Sequence, residues 1–296
     1  MNIPWKSLAA AAAFISVGSA HAATSPLSFG DRVVVDRFTS EVGEEFTSYL
    51  TYWDGELSWE FSPLLVGAVN ATKASLGKVG SVGLSINEAV STKLSSAVAA
   101  APVVSLTGEF GEGQALVQQM AAQGGVTFST TKNGTTNGAG SLQISNLTID
   151  LPTGAVLADI TGANGVGDLS RFHLWDYRAV TGPTTYLPPD FSELHGQDLM
   201  SGLFVDGSNG FNGLFATSQG MALMAQALNL NDVGESALRA VNDPTQGAGF
   251  GSLTFDFSVQ VSGPVSVSLA VPEPSAYALL LAGGLCAGAM ARRRKA

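Results

Sequence analysis

The chain has 296 residues with 24 acidic and 14 basic side chains, a net charge of −10, and a single cysteine. That charge argues against nucleic acid or an anionic membrane surface as partner, because both are held through Lys and Arg. The lone thiol, Cys286, lies close to the C-terminus. Residues 23–270 therefore hold no disulfide, no thiolate nucleophile and no thiolate zinc site.

In chain order, Met1–Lys6 carries one positive side chain, Leu8–Val17 is apolar, and Ala20 and Ala22 put small residues at the positions a signal peptidase reads. This is the pattern of a secretory leader, residues 1–22, cut between Ala22 and Ala23. Residues 23–270 form the body. Without Lys6, Glu273 and the four basic residues near the C-terminus, it keeps 9 basic and 23 acidic side chains, a balance of −14.

Within the body, Arg32–Phe38 reads as a strand. The stretch YWDGELSWEF, residues 52–61, reads as another, with Asp54, Glu56 and Glu60 at solvent positions around Trp53 and Trp59. The same carboxylates are the best candidates in the sequence for paired acid–base chemistry on a glycan. Residues 64–101 are rich in Ala, Ser, Val and Gly and show no decisive period. Val103–Phe110 and Gly125–Ser129 read as strands, Gln114–Ala122 as a helix, and Lys132–Gly140 as a turn or exposed loop. Residues 141–151, SLQISNLTIDL, alternate but change phase at Asn146, which predicts a bulge. Val156–Ile160 pairs back across Pro152-Thr153-Gly154.

Arg171–Tyr177 reads as a strand whose His173, Trp175 and Tyr177 share a face. That face is either an aromatic packing patch or a platform on which a sugar stacks, with Asp176 as acceptor. His195 reads as a loop residue in solvent. Phe211–Leu230 reads as a helix, and Asp232–Glu235 resembles a capping box that opens a second one through Val241. Leu253–Val261 and Val265–Leu269 alternate on either side of Gly263-Pro264 and predict two more strands. The fold expected is mainly β: an antiparallel, sandwich-like body with a few helices.

Signals for catalysis are poor. No G-x-S-x-G elbow, Walker sequence or dinucleotide fingerprint occurs in a fitting context, and Asp206-Gly207-Ser208-Asn209-Gly210 lacks the remaining ligands of a calcium loop. The expectation is a protein without enzymatic activity, metal or cofactor. The threonines of STTKNGTT are too few to build a regular ice-binding face.

The tail, residues 271–296, is the most specific stretch. Val271-Pro272-Glu273-Pro274-Ser275 is followed by an uncharged span, 276–291, and by Arg292, Arg293, Arg294 and Lys295. Sixteen helical residues cover about 24 Å, short of a hydrocarbon core of roughly 30 Å. The basic end stays on the cytoplasmic side, and the two prolines keep the preceding strip extended. Triplet, span and basic end together resemble the PEP-CTERM sorting signal, also labelled "ice-binding protein C-terminal". The resemblance implies recognition by an exosortase at Val271–Ser275, transient hold in the inner membrane, and release to the cell surface or extracellular matrix. It also implies association with exopolysaccharide and biofilm.

A second resemblance is scattered over residues 46–160. Phe46-Thr47-Ser48-Tyr49-Leu50, Gly125–Phe128, SLQISNLTIDL and Val156–Ile160 resemble haem-transport-associated domains of bacterial surface proteins. The resemblance implies a haem-ligating Tyr at Tyr49. The family's Gly-His-Gly element is absent, and Asn137-Gly138-Ala139-Gly140 stands in its place. The leading expectation is an exported structural or adhesive envelope protein. A ligand-binding module using Tyr49, Trp175 or Tyr177, and a carbohydrate-active enzyme, are the alternatives.

Overall fold

A computed structural model describes residues 23–28, 30–39, 45–89, 93–111, 114–186 and 203–262. The leader, His195, Val265–Leu269 and the sorting tail lie outside the described residues.

The strands are β1 (Ala23–Ser28), β2 (Arg32–Thr39), β3 (Glu45–Phe61), β4 (Ser75–Val79), β5 (Gly83–Ala89), β6 (Lys93–Gly111) and β7 (Gln114–Ala122). They continue with β8 (Gly125–Thr130), β9 (Gly140–Asp150), β10 (Ala155–Gly162), β11 (Gly167–Thr181), β12 (Thr185–Tyr186), β13 (Leu203–Ala216) and β14 (Gly251–Ser262). The helices are α1 (Pro63–Thr72), α2 (Ser218–Ala227) and α3 (Asp232–Val241). The antiparallel, mainly β body expected from the alternation is present.

One sheet closes on itself. Going round, β7, β6, β3, β14, β13, β11, β10 and β9 are each bonded to the next, and β9 returns to β7. Closure depends on Asn146. Before it, β9 pairs with β8 over residues 140–145; after it, Thr148–Asp150 pairs with Ala121–Gln119 of β7. Asn146 itself adopts φ +51°, and the opposite strand β10 shifts register between Leu157 and Asp159. The phase change in SLQISNLTIDL is thus the point where the strand changes partners. Val156–Ile160 pairs back on β9 as expected.

The inner face carries Leu57, Trp59, Phe61, Phe128, Ile144, Trp175, Phe250, Leu253 and Phe255, all buried. The helices lie against it. Leu65, Val69, Met224 and Leu238 meet Trp59, Phe128 and Phe250 around an apolar cavity of about 40 Å³. The Ser62 hydroxyl accepts from the Leu65 N–H at 3.0 Å to cap α1, and Pro63 follows at the first turn, where no N–H is needed.

Four expectations need correction. Gln114–Ala122 is strand β7, not a helix. Gln118 is bulged out of the pairing with β6, so Val117 and Met120 both point inward three residues apart and imitate a helical stripe. Phe211–Leu230 is not one helix. Its first six residues belong to β13, and Thr217, whose hydroxyl accepts from Gly220 N–H at 3.0 Å, starts α2. The cap of α3 is Asn231, one residue earlier than expected, with its Oδ1 accepting from Val233 and Gly234. Asp232 and Glu235 sit in the first turn instead, where negative charge complements the helix dipole. Finally, the 132–140 loop is partly docked on the start of α3. Thr136 is buried, and Asn137 N–H donates to Asn229 O at 2.8 Å. Residues 64–101, unassigned from sequence, form α1, β4, β5 and much of β6.

Candidate functional site

Strand β3 alternates by design of its sequence. Leu57, Trp59 and Phe61 face the core, so Asp54, Glu56, Ser58 and Glu60 face out. Strand β14 does the same, with Phe255, Phe257 and Val259 inward and Asp256 outward. Register then sets the neighbours. Glu56 stands opposite Asp256, which stands opposite Ser208 of β13. Asp54 stands opposite Ser258, which stands opposite Asp206. Four exposed carboxylates thus occupy two rungs of three strands.

These residues line an open cleft of about 760 Å³. Ser81 and Gly83, at the β4–β5 turn, and Ala100 and Pro102 of β6 complete its wall, and none of the lining side chains is basic. Among the described residues, no three acidic, His or Cys side chains are placed to hold a metal ion. The cleft offers hydroxyls and carboxylate acceptors, the groups that hydrogen-bond sugar hydroxyls or amines. Ser58 Oγ already donates to Glu56 Oε1 at 3.3 Å.

Beneath the cleft lies Tyr52. Trp53 is extra to the β14 ladder, so Tyr52 turns inward, and its hydroxyl donates to Val103 O at 2.8 Å. Burial, and then the nearby Asp54, push its pKa up. The hydroxyl passes under Gly55, where any Cβ would collide with it. Asp54 Oδ1 in turn accepts from Gly55 N–H at 2.8 Å.

Of the sequence-predicted carboxylates, the structure brings Asp54 and Glu56 together. Glu60 shares their face but lies two rungs away from Glu56 and does not line the cleft. Asp206 and Asp256 were missed. Asp256 was legible as the polar position within Leu253–Val261. The sequence shows Asp206 only within an incomplete calcium-loop pattern, because Ser258 opposite it and Asp54 beyond Ser258 lie roughly 50 and 150 residues away in the chain.

The aromatic platform fails on geometry. Leu174 is an extra residue in the ladder with β10, so Leu174 and Trp175 both point inward. Trp175 is 0 % exposed, with its ring 4.9 Å from that of Trp59. Its indole cannot offer a face to a sugar. His173 is left on the outer side, hydrogen-bonded to Asp176 at 2.8 Å. Tyr177 is half-buried, its ring 5.1 Å from Phe211 and its hydroxyl donating to Leu151 O at 3.3 Å. Burial first, and Asp150 second, raise its pKa.

Tyr49 is half-buried on β3, between Val34 of β2 and Ser262 of β14. Loop 137–140, where the haem family has its histidine element, instead packs against residues 228–230, on the Trp59–Phe61 side of the molecule. The two elements of that resemblance are therefore not brought together.

Fold and site define an antiparallel β-barrel body with a helix-covered apolar interior and an acidic external cleft. Comparison with protein families then matches residues 270–295 to the PEP-CTERM protein-sorting motif. The chain carries this signal, which marks it for export, exosortase processing and membrane-associated sorting toward the cell surface. Comparison with curated proteins gives no significant match.

Proposed function

We propose that the body is a non-enzymatic component of the envelope or matrix that associates with exopolysaccharide through the acidic cleft. The observation that supports this reading is the meeting of Asp54, Glu56, Asp206 and Asp256 on one exposed face, beside serine hydroxyls, in a chain that carries a surface-sorting signal. Carboxylates fixed on strands, with no basic side chain lining the cleft, keep lone pairs that accept from sugar hydroxyls and amines. The test is co-sedimentation of the mature protein with polysaccharide from its own host. A Glu56→Gln, Asp206→Asn, Asp256→Asn triple variant is expected to lose at least tenfold in bound fraction. Unchanged binding would remove the cleft from the proposal. For the sorting step, replacing Pro272-Glu273-Pro274 by alanines is expected to leave uncleaved protein in the inner membrane.

One observation favours a second reading. Glu56 and Asp256 stand directly opposite on neighbouring strands. Such pairs have Cβ atoms about 5 Å apart, which lets the two carboxyl groups reach the roughly 5 Å spacing that retaining glycosidases use. Release of reducing sugar from the host polysaccharide, lost in Glu56→Gln, is the result that would move the protein into that class.

A further inference from the structure

We infer that the apolar cavity under the helices, with the lysines at its edge, takes a free long-chain carboxylate: alkyl chain inside, head group at Lys73. Apolar side chains of α1, α2 and α3 meet those of the barrel around this cavity. Thr72 brings the one hydroxyl to its wall, and that hydroxyl is satisfied within α1, donating to Ala68 O at 2.9 Å. The void of about 40 Å³ has room for a water, but a buried water needs two to four polar partners. It stays dry and suits an apolar guest. Ala68 and Ala74 leave space where larger side chains would fill it, and the unbranched Met224 adapts to a chain that enters. The three helices above are ten residues each, too short to hold without the barrel. The cover therefore parts at less cost than global unfolding.

Positive charge gathers at the edge of this cavity. The body has four lysines, Lys73, Lys78, Lys93 and Lys132, and three of them stand around the last turn of α1. Lys73 lies between Thr72 and Ala74, both walls of the cavity. Lys132 precedes Asn133, whose Nδ2 donates to Thr72 O at 2.7 Å. Lys93 precedes Leu94, whose N–H donates to Asn70 Oδ1 at 2.9 Å and whose carbonyl accepts from Asn70 Nδ2 at 2.8 Å. All three lysines are exposed, and among the described residues none is in an ion pair. Glu88, opposite Leu94, and Asp232, next to the Asn231 that donates to Gly134 O, are the neighbouring carboxylates, and neither pairs with a lysine.

Lys73 also stands where glycine is the usual residue. Its φ of +52° forms the left-handed cap that ends α1, a conformation that costs a residue with a side chain. One cation at a helix C-terminus offsets the dipole; three gathered there exceed that need. A dry apolar space with ammonium donors at its rim matches the two halves of an amphipathic anion. The body as a whole is strongly acidic and is repelled by an anionic bilayer, which favours a single free chain over a lipid drawn from a membrane.

Trp59 walls the cavity and Trp175 lies 4.9 Å from it, so both report on a guest. Trp53→Phe leaves these two as the tryptophans of the mature protein. Their emission is titrated with dodecanoic acid brominated at its ω carbon, below the micelle concentration. Saturable quenching is expected, at least threefold deeper than with the α-brominated acid, because bromine quenches on contact. Lys73→Asn keeps a residue that accepts the left-handed cap. It should leave melting unchanged and weaken binding of the acid at least fivefold, but not binding of the neutral ω-bromododecanol. Ala74→Val, or Ala68→Val should the former melt lower, is expected to weaken both ligands by narrowing the cavity. No saturable quenching, equal quenching by the two acids, or undiminished binding in these variants would overturn the proposal. Quenching by vesicles of brominated phosphatidylglycerol and not by the free acid would overturn it in favour of a membrane lipid.

Discussion

The two faces of β3 make opposite use of the same strand. Inward, Tyr52, Leu57, Trp59 and Phe61 are almost wholly buried, and Tyr52, Trp59 and Phe61 meet residues far away in sequence: Val103, Phe128, Trp175 or Phe250. Outward, Asp54, Glu56 and Glu60 are exposed, and register alone sets Asp54 and Glu56 beside Asp206 and Asp256. The inner face is fixed by packing, which tolerates little change in volume. The outer face contributes little to folding, so its composition is open to other demands. Four carboxylates gathered there, against mutual repulsion, call for an explanation outside the fold.

The inner face breaks hardest at Trp59. Its ring sits 4.3 Å from Phe61 and 4.9 Å from Trp175, and its Nε1 donates to Phe250 O at 3.1 Å. Trp59→Ala should cost about 3–5 kcal/mol, the range for a large aromatic removed from a core. It also leaves the Phe250 carbonyl without this donor. Urea unfolding of the mature protein would check the value. A loss below about 1 kcal/mol would mean that the aromatic cluster is not the centre of the core.

Sequence reasoning read some strands better than others. Alternation places β8, β9, β10 and β14 nearly to their ends, because each keeps one face in and one face out over most of its length. It failed where a bulge altered the period. The extra Gln118 turned β7 into an apparent helix, and the extra Leu174 moved Trp175 from a supposed platform to the core. Bulges are properties of a pair of strands, and the partner's register is not written locally. Residues 64–101 were unreadable for a related reason. In β6, Ala97, Ala99 and Ala101 are buried, but alternating Ala with Ser, Val or Ala gives almost no contrast. The cleft was half legible: Asp54 and Glu56 are local, while Asp206 and Asp256 join them only through tertiary pairing.

Tyr52 connects the two faces and gives a smaller, pH-dependent effect. Burial holds its phenol protonated in the folded state well above the usual value. The unfolded chain releases that proton near pH 10. Above that pH the folded state therefore holds more protons than the unfolded one, and stability falls as pH rises. Tyr52→Phe removes the bond to Val103 O and should cost about 1–2 kcal/mol at neutral pH. It should also flatten the decline above pH 10. Thermal melts of both proteins from pH 8 to 11 test this. Parallel curves across that range would show that Tyr52 does not carry the alkaline sensitivity.

The smallest effect on stability belongs to the outer face and separates it most cleanly from the inner one. Glu56→Gln, Asp206→Asn and Asp256→Asn conserve volume and remove charge at exposed positions. Each should change stability by no more than about 0.5 kcal/mol. Combined, they should be neutral or slightly stabilising, because like charges on adjacent rungs repel. If melting is unchanged while retention on the host polysaccharide is lost, the carboxylates serve a partner and not the barrel. Should the triple variant melt well below the parent, the acidic rungs are part of the structure, through contacts such as Ser58 Oγ on Glu56 Oε1. The cleft would then need no ligand to explain it.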